Sequence, residues 1–379
     1  MAAPANPFNV GRTVTGSSFV NRVAELSALT SYCASNANVL LIAPRRLGKT
    51  SLIHETFRRL DRKKFLLLFV NVQRCIDEHA VAQALLDELA ATAFGAFRRG
   101  WLWAMEQFQT RRPAYTTDPQ TGLPSLVLQK VGRGLQNLSD VLRLLEKTAV
   151  KKRRRIVVAI DEFQTLMERD DGPATIAAIR SIVQDQRHVT YIFCGSKKHV
   201  LLRLVNDRDN PFWGQLQTLE IGGIAVEHFA PLAKRAFSAA GRPIDDTTIA
   251  KVGETCGDNP KRIQAIFLQL LVSDARPTPA RVDEALCRLI DEESHRFEDL
   301  LAQLKEGDQK RLLLALAIEG APAAITGKDF VSKYDLGGSS NVQYASRRLR
   351  DEGILNDRNW FVDPFFYRFL RNDSANRKS

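Results

Sequence analysis

The chain has 379 residues, 44% of them hydrophobic, and a formal net charge of +11. That length suits two domains, or one large domain with an appendage, and the apolar fraction is that of a globular chain with a real core. No apolar run approaches the ~18 residues of a membrane span, and the scattered cysteines (Cys33, Cys75, Cys194, Cys256, Cys287) and six histidines form neither a C-x-x-C pair nor a metal-spaced cluster. The N-terminus lacks the charged and apolar regions of a signal peptide, so a cytoplasmic protein with no membrane partner is expected. Residues 1–155 hold 24 Lys/Arg against 11 Asp/Glu, while residues 156–379 hold 30 against 32. The basic excess therefore lies in the first part, where it favours polyanions.

Residues 1–18, rich in Pro, Gly, Ser and Thr, read as an extended lead-in. From Phe19 to Tyr32 the apolar positions Val20, Val23, Leu26 and Leu29 recur at helical spacing, with Asn21 as the expected N-cap. Val39–Ile42 is a short apolar run that predicts a buried strand. The polar turn Ala43-Pro44-Arg45-Arg46-Leu47-Gly48 follows, then a helix from about Lys49 to Leu60. Strand, loop and helix in this order are the setting of a phosphate-binding loop, G-x-x-x-x-G-K-[ST]. Pro44 to Ser51 would cradle the phosphates, the helix N-terminus adding its positive dipole end. Lys49 would reach the β- and γ-phosphates, and the Thr50 hydroxyl would hold Mg²⁺. Ala43 stands where the pattern has its first Gly.

The apolar run Phe65–Val72 predicts a buried parallel strand, and a helix is expected from about Glu78 to Ala96. Residues 97–133 interleave aromatics with arginines and are broken by Pro and Gly, which reads as an insertion. A helix near Asn137–Thr148 leads to the basic run Lys151–Arg155. Strands are then predicted at Ile156–Ile160, Val189–Cys194 and Leu216–Ile221, with helices at Ile176–Gln186 and Lys198–Val205 between them. Five strands alternating with helices imply an α/β domain on a parallel sheet. Helices are predicted over 226–240, 245–256, 260–273 and 278–304. The final part reads as three helices (Gln309–Ile318, Lys328–Tyr334, Asn341–Glu352) and two short strands within Ile354–Val362, the pattern of a winged helix–turn–helix.

The chemistry-bearing residues fall at the ends of the predicted strands. Asp161 can reach a Mg²⁺ shell, because ligands gather at the carboxyl ends of strands in open α/β sheets. Glu162 is the candidate to orient and deprotonate an attacking water. Ser196, after the next strand, is a candidate contact for the γ-phosphate or the water. Arg203 and Arg208 are candidates for an arginine acting in trans within an oligomer. Pro260 opens a helix as Pro favours, and is also a candidate for adenine contact, with Lys261 or Arg262 approaching the phosphates.

With these residues in hand, the chain resembles the archaeal-type and related bacterial ATPases of the STAND division of P-loop NTPases, close to the AAA+ family. Asn6-Pro7-Phe8 with Phe19-Val-Asn-Arg22 and Glu25-Leu26 is similar to that family's N-terminal signature, with Asn21 in place of a Gly. Ala43 to Leu52, Asp161-Glu-Phe-Gln164, Gly257-Asp-Asn-Pro260 and the ending Asp363-Pro-Phe-Phe366 resemble its further motifs. The resemblance implies a five-stranded parallel P-loop NTPase fold with a helical lid and a C-terminal winged helix, ATP with Mg²⁺ as ligand, and a conformational switch. Its expected divisions are a lead-in (1–18), an α/β ATPase domain (19–223, insertion about 97–133), a lid (224–305), a winged helix (306–371) and a disordered tail (372–379). Two roles stay open. One is a DNA-associated switch, with Arg347, Arg348 and Arg350 contacting double-stranded DNA. The other is a signalling or defence ATPase whose winged helix and aromatic insertion bind a separately encoded protein effector. A homo-oligomer is expected in the ATP-bound state.

Overall fold

A computed structural model describes residues 6–94, 114–117, 124–127, 135–207, 212–304, 307–320 and 324–376. Its elements run α1 (Val23–Ser35), β1 (Val39–Ile42), α2 (Lys49–Arg59), β2 (Phe65–Asn71), α3 (Glu78–Phe94), β3 (Ala114–Thr117), β4 (Pro124–Val127), α4 (Leu135–Lys152), β5 (Arg155–Asp161), α5 (Gln164–Met167), α6 (Gly172–Val183), β6 (Val189–Gly195), α7 (Lys198–Asn206) and β7 (Gln217–Glu220). Helices follow: α8 (Ala230–Ala239), α9 (Asp246–Cys256), α10 (Pro260–Val272), α11 (Pro279–Glu292), α12 (Ser294–Gln303), α13 (Asp308–Glu319), α14 (Lys328–Lys333), α15 (Ser339–Asp351) and α16 (Pro364–Asn376). The chain divides into two compact units, one formed by Val23–Ile42 and Leu52–Glu220, the other by the N-terminal residues to Arg22, Ala43–Ser51 and the chain from Ile221 onward.

The first unit is a five-stranded parallel sheet of order β2-β5-β6-β1-β7. β1 and β6 are buried along their whole length, as strands covered on both faces must be. The register sets Ile42 beside Gly195 and Ile160 beside Phe193, so the carboxyl ends of β1, β5 and β6 lie at one edge of the sheet. Leu66 and Leu68 of β2, Ile156 and Val158 of β5 and Tyr191 and Phe193 of β6 share one core with Leu85 and Leu89 of α3 and Val141 and Leu145 of α4. Burying each such side chain stabilises by roughly 1.5–3 kcal/mol. β3 and β4 pair antiparallel as a separate sheet. The aromatic cluster Phe97–Trp103 lies outside the described residues.

The second unit has its own core. Phe8, from the lead-in, is buried there and stacks on Phe267 of α10, ring centroids 5.3 Å apart, while the Asn9 amide donates to Gln264 Oε1 at 3.2 Å. The lead-in is therefore anchored by one aromatic. Three local expectations change. The region expected as one helix over 278–304 is α11 and α12, broken at Glu293, whose carboxylate is held by Arg262 and Arg296. The two wing strands reduce to a single antiparallel bridge, Leu355 to Phe361, because Asn356 spends its side chain closing the turn on the amides of Arg358 and Trp360. α16 carries through residues 372–376, into the stretch expected as a disordered tail, continuing the helix that Pro364 opens. No helix among the described residues is long and apolar enough to cross a membrane.

Candidate nucleotide site

In the sheet unit, β5 ends on Asp161, whose side chain is buried. Its Oδ1 accepts from the Glu162 amide at 2.8 Å and lies 3.6 Å from the Cys194 thiol. Glu162 turns the chain sharply, at φ +59°, a region few residues other than Gly adopt. The turn is held by Thr165, whose hydroxyl donates to the Glu162 carbonyl at 2.8 Å, and by the Phe163 amide, which donates to the Cys194 carbonyl at 2.9 Å. The fold thus brings Glu162 and Ser196 together: Ser196 Oγ donates to Glu162 Oε2 at 3.4 Å. Gln164 Nε2 donates to the same oxygen at 2.5 Å. His54 of α2 packs its ring 4.7 Å from Phe69, and burial lowers its pKa despite the opposing charges of Asp161 and Glu88.

In the other unit, the loop from Ala43 to Gly48 leads into Lys49 and Thr50, the first residues of α2. Arg46 and Gly48 both take left-handed backbone, at φ +71° and +91°. Left-handed residues of this kind curl successive N–H groups toward one concavity, the form an anion requires. The loop is braced from behind. Arg22, itself buried, donates to the Leu47 carbonyl at 2.9 Å and to the Gly222 carbonyl, and the Val14 amide donates to Ser51 Oγ at 3.0 Å. Pro44 and Arg45 complete the loop. A hydroxyl such as that of Thr50 and a carboxylate such as that of Asp161 are the hard oxygen donors that Mg²⁺ prefers.

Arg46 also enters a charge cluster of the same unit. Its Nη1 lies 3.0 Å from Asp363 Oδ2. Asp363 accepts from Arg262 through both oxygens, at 2.8 and 2.5 Å, and Arg262 donates as well to both oxygens of Glu293, at 2.5 and 3.1 Å. The Arg262 guanidinium is 1% exposed and lies over the Phe365 ring, 4.2 Å from its centroid. Arg296 bonds both carboxylates, at 2.6 and 3.3 Å. Of the two α10 cations expected as alternatives for the phosphates, Arg262 is committed to carboxylates. Lys261 lies 3.9 Å from Glu293, and burial together with Arg46 and Arg262 brings its pKa down to about 8. Arg46, Lys261, Arg262 and Arg296 surround Glu293 and Asp363, so positive charge is locally in excess.

Pro260 is the first residue of α10, buried and preceded by the cap Asn259, whose side chain accepts from the Arg262 amide. Arg203 is exposed in the last turn of α7, and Arg208 lies outside the described residues. On α15, Arg347 and Arg348 are exposed and Arg350 is half-buried. Reading from sequence missed two groups. Gln164 stood in its motif without a role, and Asp363 was noted only as part of a family ending. For Asp363 the partners are 101 and 317 residues away, at Arg262 and Arg46, so no local signal pointed to them.

The ATPase domain described as predominantly from Archaea matches residues 19–266, and a probable winged helix domain matches residues 295–372. The chain belongs to that ATPase family. It is an ATP-binding ATPase of the AAA+-related P-loop type with a C-terminal winged helix. No curated protein matches it. Among solved structures it is similar to a Walker-type ATPase of Pyrococcus abyssi, PABY2304, at 15% identity and TM-score 0.70, covering 96% of this chain and 99% of that one. It is also similar to the ORC2 protein of Aeropyrum pernix solved with ADPNP and ADP, at 11% identity and TM-score 0.59, covering 99% of each chain. These likenesses establish the fold.

Proposed function

We propose that this ATPase hydrolyses ATP as a molecular switch of the STAND type. The observation that carries the reading is the pair Asp161–Glu162 at the end of β5, with Glu162 hydrogen-bonded to Ser196 after the neighbouring β6. Two adjacent acids serve separate tasks there. Asp161, with Thr50, would hold Mg²⁺, which would supply positive charge to offset the charge developing on the phosphate. Glu162 takes the proton of the attacking water, and Ser196 orients it. Lys49 and the loop Pro44–Ser51 bind the phosphates, and Pro260 covers the adenine. The ATP-bound form is a homo-oligomer in which Arg203 or Arg208 of a neighbouring copy reaches the phosphate. Lys49→Ala should abolish ATP binding in isothermal titration, and unchanged affinity would remove the P-loop assignment. Glu162→Gln should keep binding and lose turnover; wild-type turnover in that variant would take Glu162 out of the base role.

A DNA-associated role is favoured over a separate protein effector by the outward face of α15. Gln343, Tyr344, Arg347 and Arg348 are all exposed on this helix, Tyr344 at 65%. The second helix of a helix–turn–helix reads the major groove with such side chains. Fluorescence anisotropy with duplex DNA across a salt series tests this. Binding that falls steeply with salt is expected. No binding at low salt, or a flat salt response, would favour a protein effector.

A further inference from the structure

Gln164 is the residue of the second motif that hydrolysis, as proposed above, leaves without a task. It opens the short helix α5 and is 1% exposed, rare burial for a glutamine. Its place is fixed from three sides. Phe163, before it, is fully buried and packs 4.6 Å from Phe193 of β6. Its Nε2 donates to Glu162 Oε2 at 2.5 Å. Its other amide atom, Oε1, lies against Gly195, where an added Cβ would overlap it. Gly195 is not left-handed, so a glycine here answers to space and not to backbone conformation.

The orientation of the amide follows from the charge beside it. Turned over, it would aim a carbonyl oxygen at a carboxylate, which repels; as it stands, the N–H donates. That choice leaves Oε1 buried with no hydrogen-bond partner among the described residues, and such an orphan is unfavourable. The sequence thus retains a buried amide with one end unsatisfied, beside a glycine that makes room for it. A packing role alone would be better served by Leu or Met, which have similar volume and no polar atoms. What distinguishes Gln is the N–H on Glu162.

We propose that Gln164 is a positioning residue for ATP hydrolysis, its amide and Ser196 together fixing the Glu162 carboxylate, with Gly195 as the space that admits it. This rests on the hydrolytic reading above. In the step itself, water oxygen bonds to the γ-phosphorus as the bond to the β–γ bridging oxygen breaks, and that oxygen leaves with the electron pair on ADP. The water's proton passes to Glu162 and from there to solvent. Two donors converge on Oε2 from different elements, α5 and the end of β6, so the carboxylate cannot rotate about its terminal bond without losing both. A base that must meet a water at one angle gains from that restriction, since misplacement by ~1 Å costs ~100-fold in rate.

The test is steady-state turnover of the full chain, with ATP affinity measured separately by titration. Gln164→Leu, near in volume, should lower kcat by roughly 10- to 100-fold with KM and ATP affinity unchanged, on the scale of misplacing a general base. Gly195→Ala should do the same by expelling the amide, and the double variant should be no slower than either alone. On the residual turnover of a Glu162→Gln background, measured at high enzyme concentration, Gln164→Leu should have no further effect, whereas a purely structural role would lower it again. If Gly195→Ala does not fold, the Gln164 and Glu162 variants still close the cycle. A kcat within twofold of wild type in Gln164→Leu, a change in KM with kcat kept, or additive losses with Glu162→Gln would overturn the proposal. A wild type that binds ATP and never turns it over would overturn both this and the hydrolytic reading, whereas normal wild-type turnover with an unaffected Gln164→Leu would overturn this alone.

Discussion

Asp363→Ala should destabilise the unit it belongs to. The side chain accepts from Arg262 at 2.8 and 2.5 Å, from Arg46 at 3.0 Å and from Arg296 at 3.3 Å. It also accepts from the Phe365 amide at 3.1 Å, in the first turn of α16. Removing one partner of a buried ion pair costs about 3–5 kcal/mol, because the other charge stays buried. Arg262 is 1% exposed but keeps Glu293, so the lower end, about 3 kcal/mol, is expected. For a unit of this size that is a fall in Tm of about 6–12 °C, read by circular dichroism at pH 7. The pH dependence carries a second test. Burial pushes the Asp363 pKa up, but hydrogen bonds from Arg262 and the charges of Arg262 and Arg46 outweigh it, and the net shift is downward. A carboxyl with a depressed folded pKa stabilises above its unfolded value of about 3.9 and loses that contribution as pH falls through the folded value. The gap between wild type and Asp363→Ala should therefore narrow below about pH 4. A Tm within about 2 °C of wild type at pH 7, or a gap that stays constant to pH 3, would refute the assignment of this stability to the ion pairs.

Two more outcomes follow from the same unit. Lys261, with its pKa brought down to about 8, is cationic below that pH and loses its charge above it. If it faces the phosphates, ATP affinity should fall as pH rises from 7 to 9, and Lys261→Arg should abolish that fall; a wild-type affinity flat across this range would remove Lys261 from the phosphates. Arg22→Ala takes two donors from the Leu47 and Gly222 carbonyls and should cost about 1.5–3 kcal/mol in denaturant melts, with a weaker affinity for ATP as the loop loses its brace. ATP affinity within twofold of wild type would separate Arg22 from the loop's function.

The sheet was legible because four of its strands hold contiguous apolar runs that alternate with helices, while the edge strand Gln217–Glu220 is mostly polar and showed only as a short stretch between Leu216 and Ile221; the P-loop was legible because its residues are consecutive. Asp161 and Glu162 were legible for the same reason, being the two residues at which an apolar run ends. What was not legible is long-range. At the break, Glu293 is held by an arginine 31 residues earlier, and no Pro or Gly near Ser294 announces the boundary. The wing looked like two strands from its apolar residues, but it is a short antiparallel bridge at Leu355 and Phe361, flanked by the backbone bonds Asn356 to Trp360 and Val362 to Ile354 and closed by the Asn356 side chain. Gln164 was visible as a letter, but its contact with Gly195 at the end of β6 was not.

The two departures from the family's glycines have opposite physical causes. Asn21 has φ +59° and Arg22, next to it, +65°. The helix begins only at Val23, so Asn21 does not cap it as its type suggested. Its position is one that needs left-handed backbone, which Gly adopts freely and Asn tolerates better than most residues. The substitution therefore keeps the conformation with the next most tolerant residue. Ala43 is different: it is fully buried and is not among the left-handed residues of the loop, which are Arg46 and Gly48. Gly is required where φ is positive or where a ligand backbone approaches closely, and the first condition does not arise at Ala43. The demanding conformation of the loop has stayed on Gly48, where the family's motif is intact. Asn21 thus bears on how Arg22 is aimed at the Leu47 carbonyl, and Ala43 only on how much room one methyl takes.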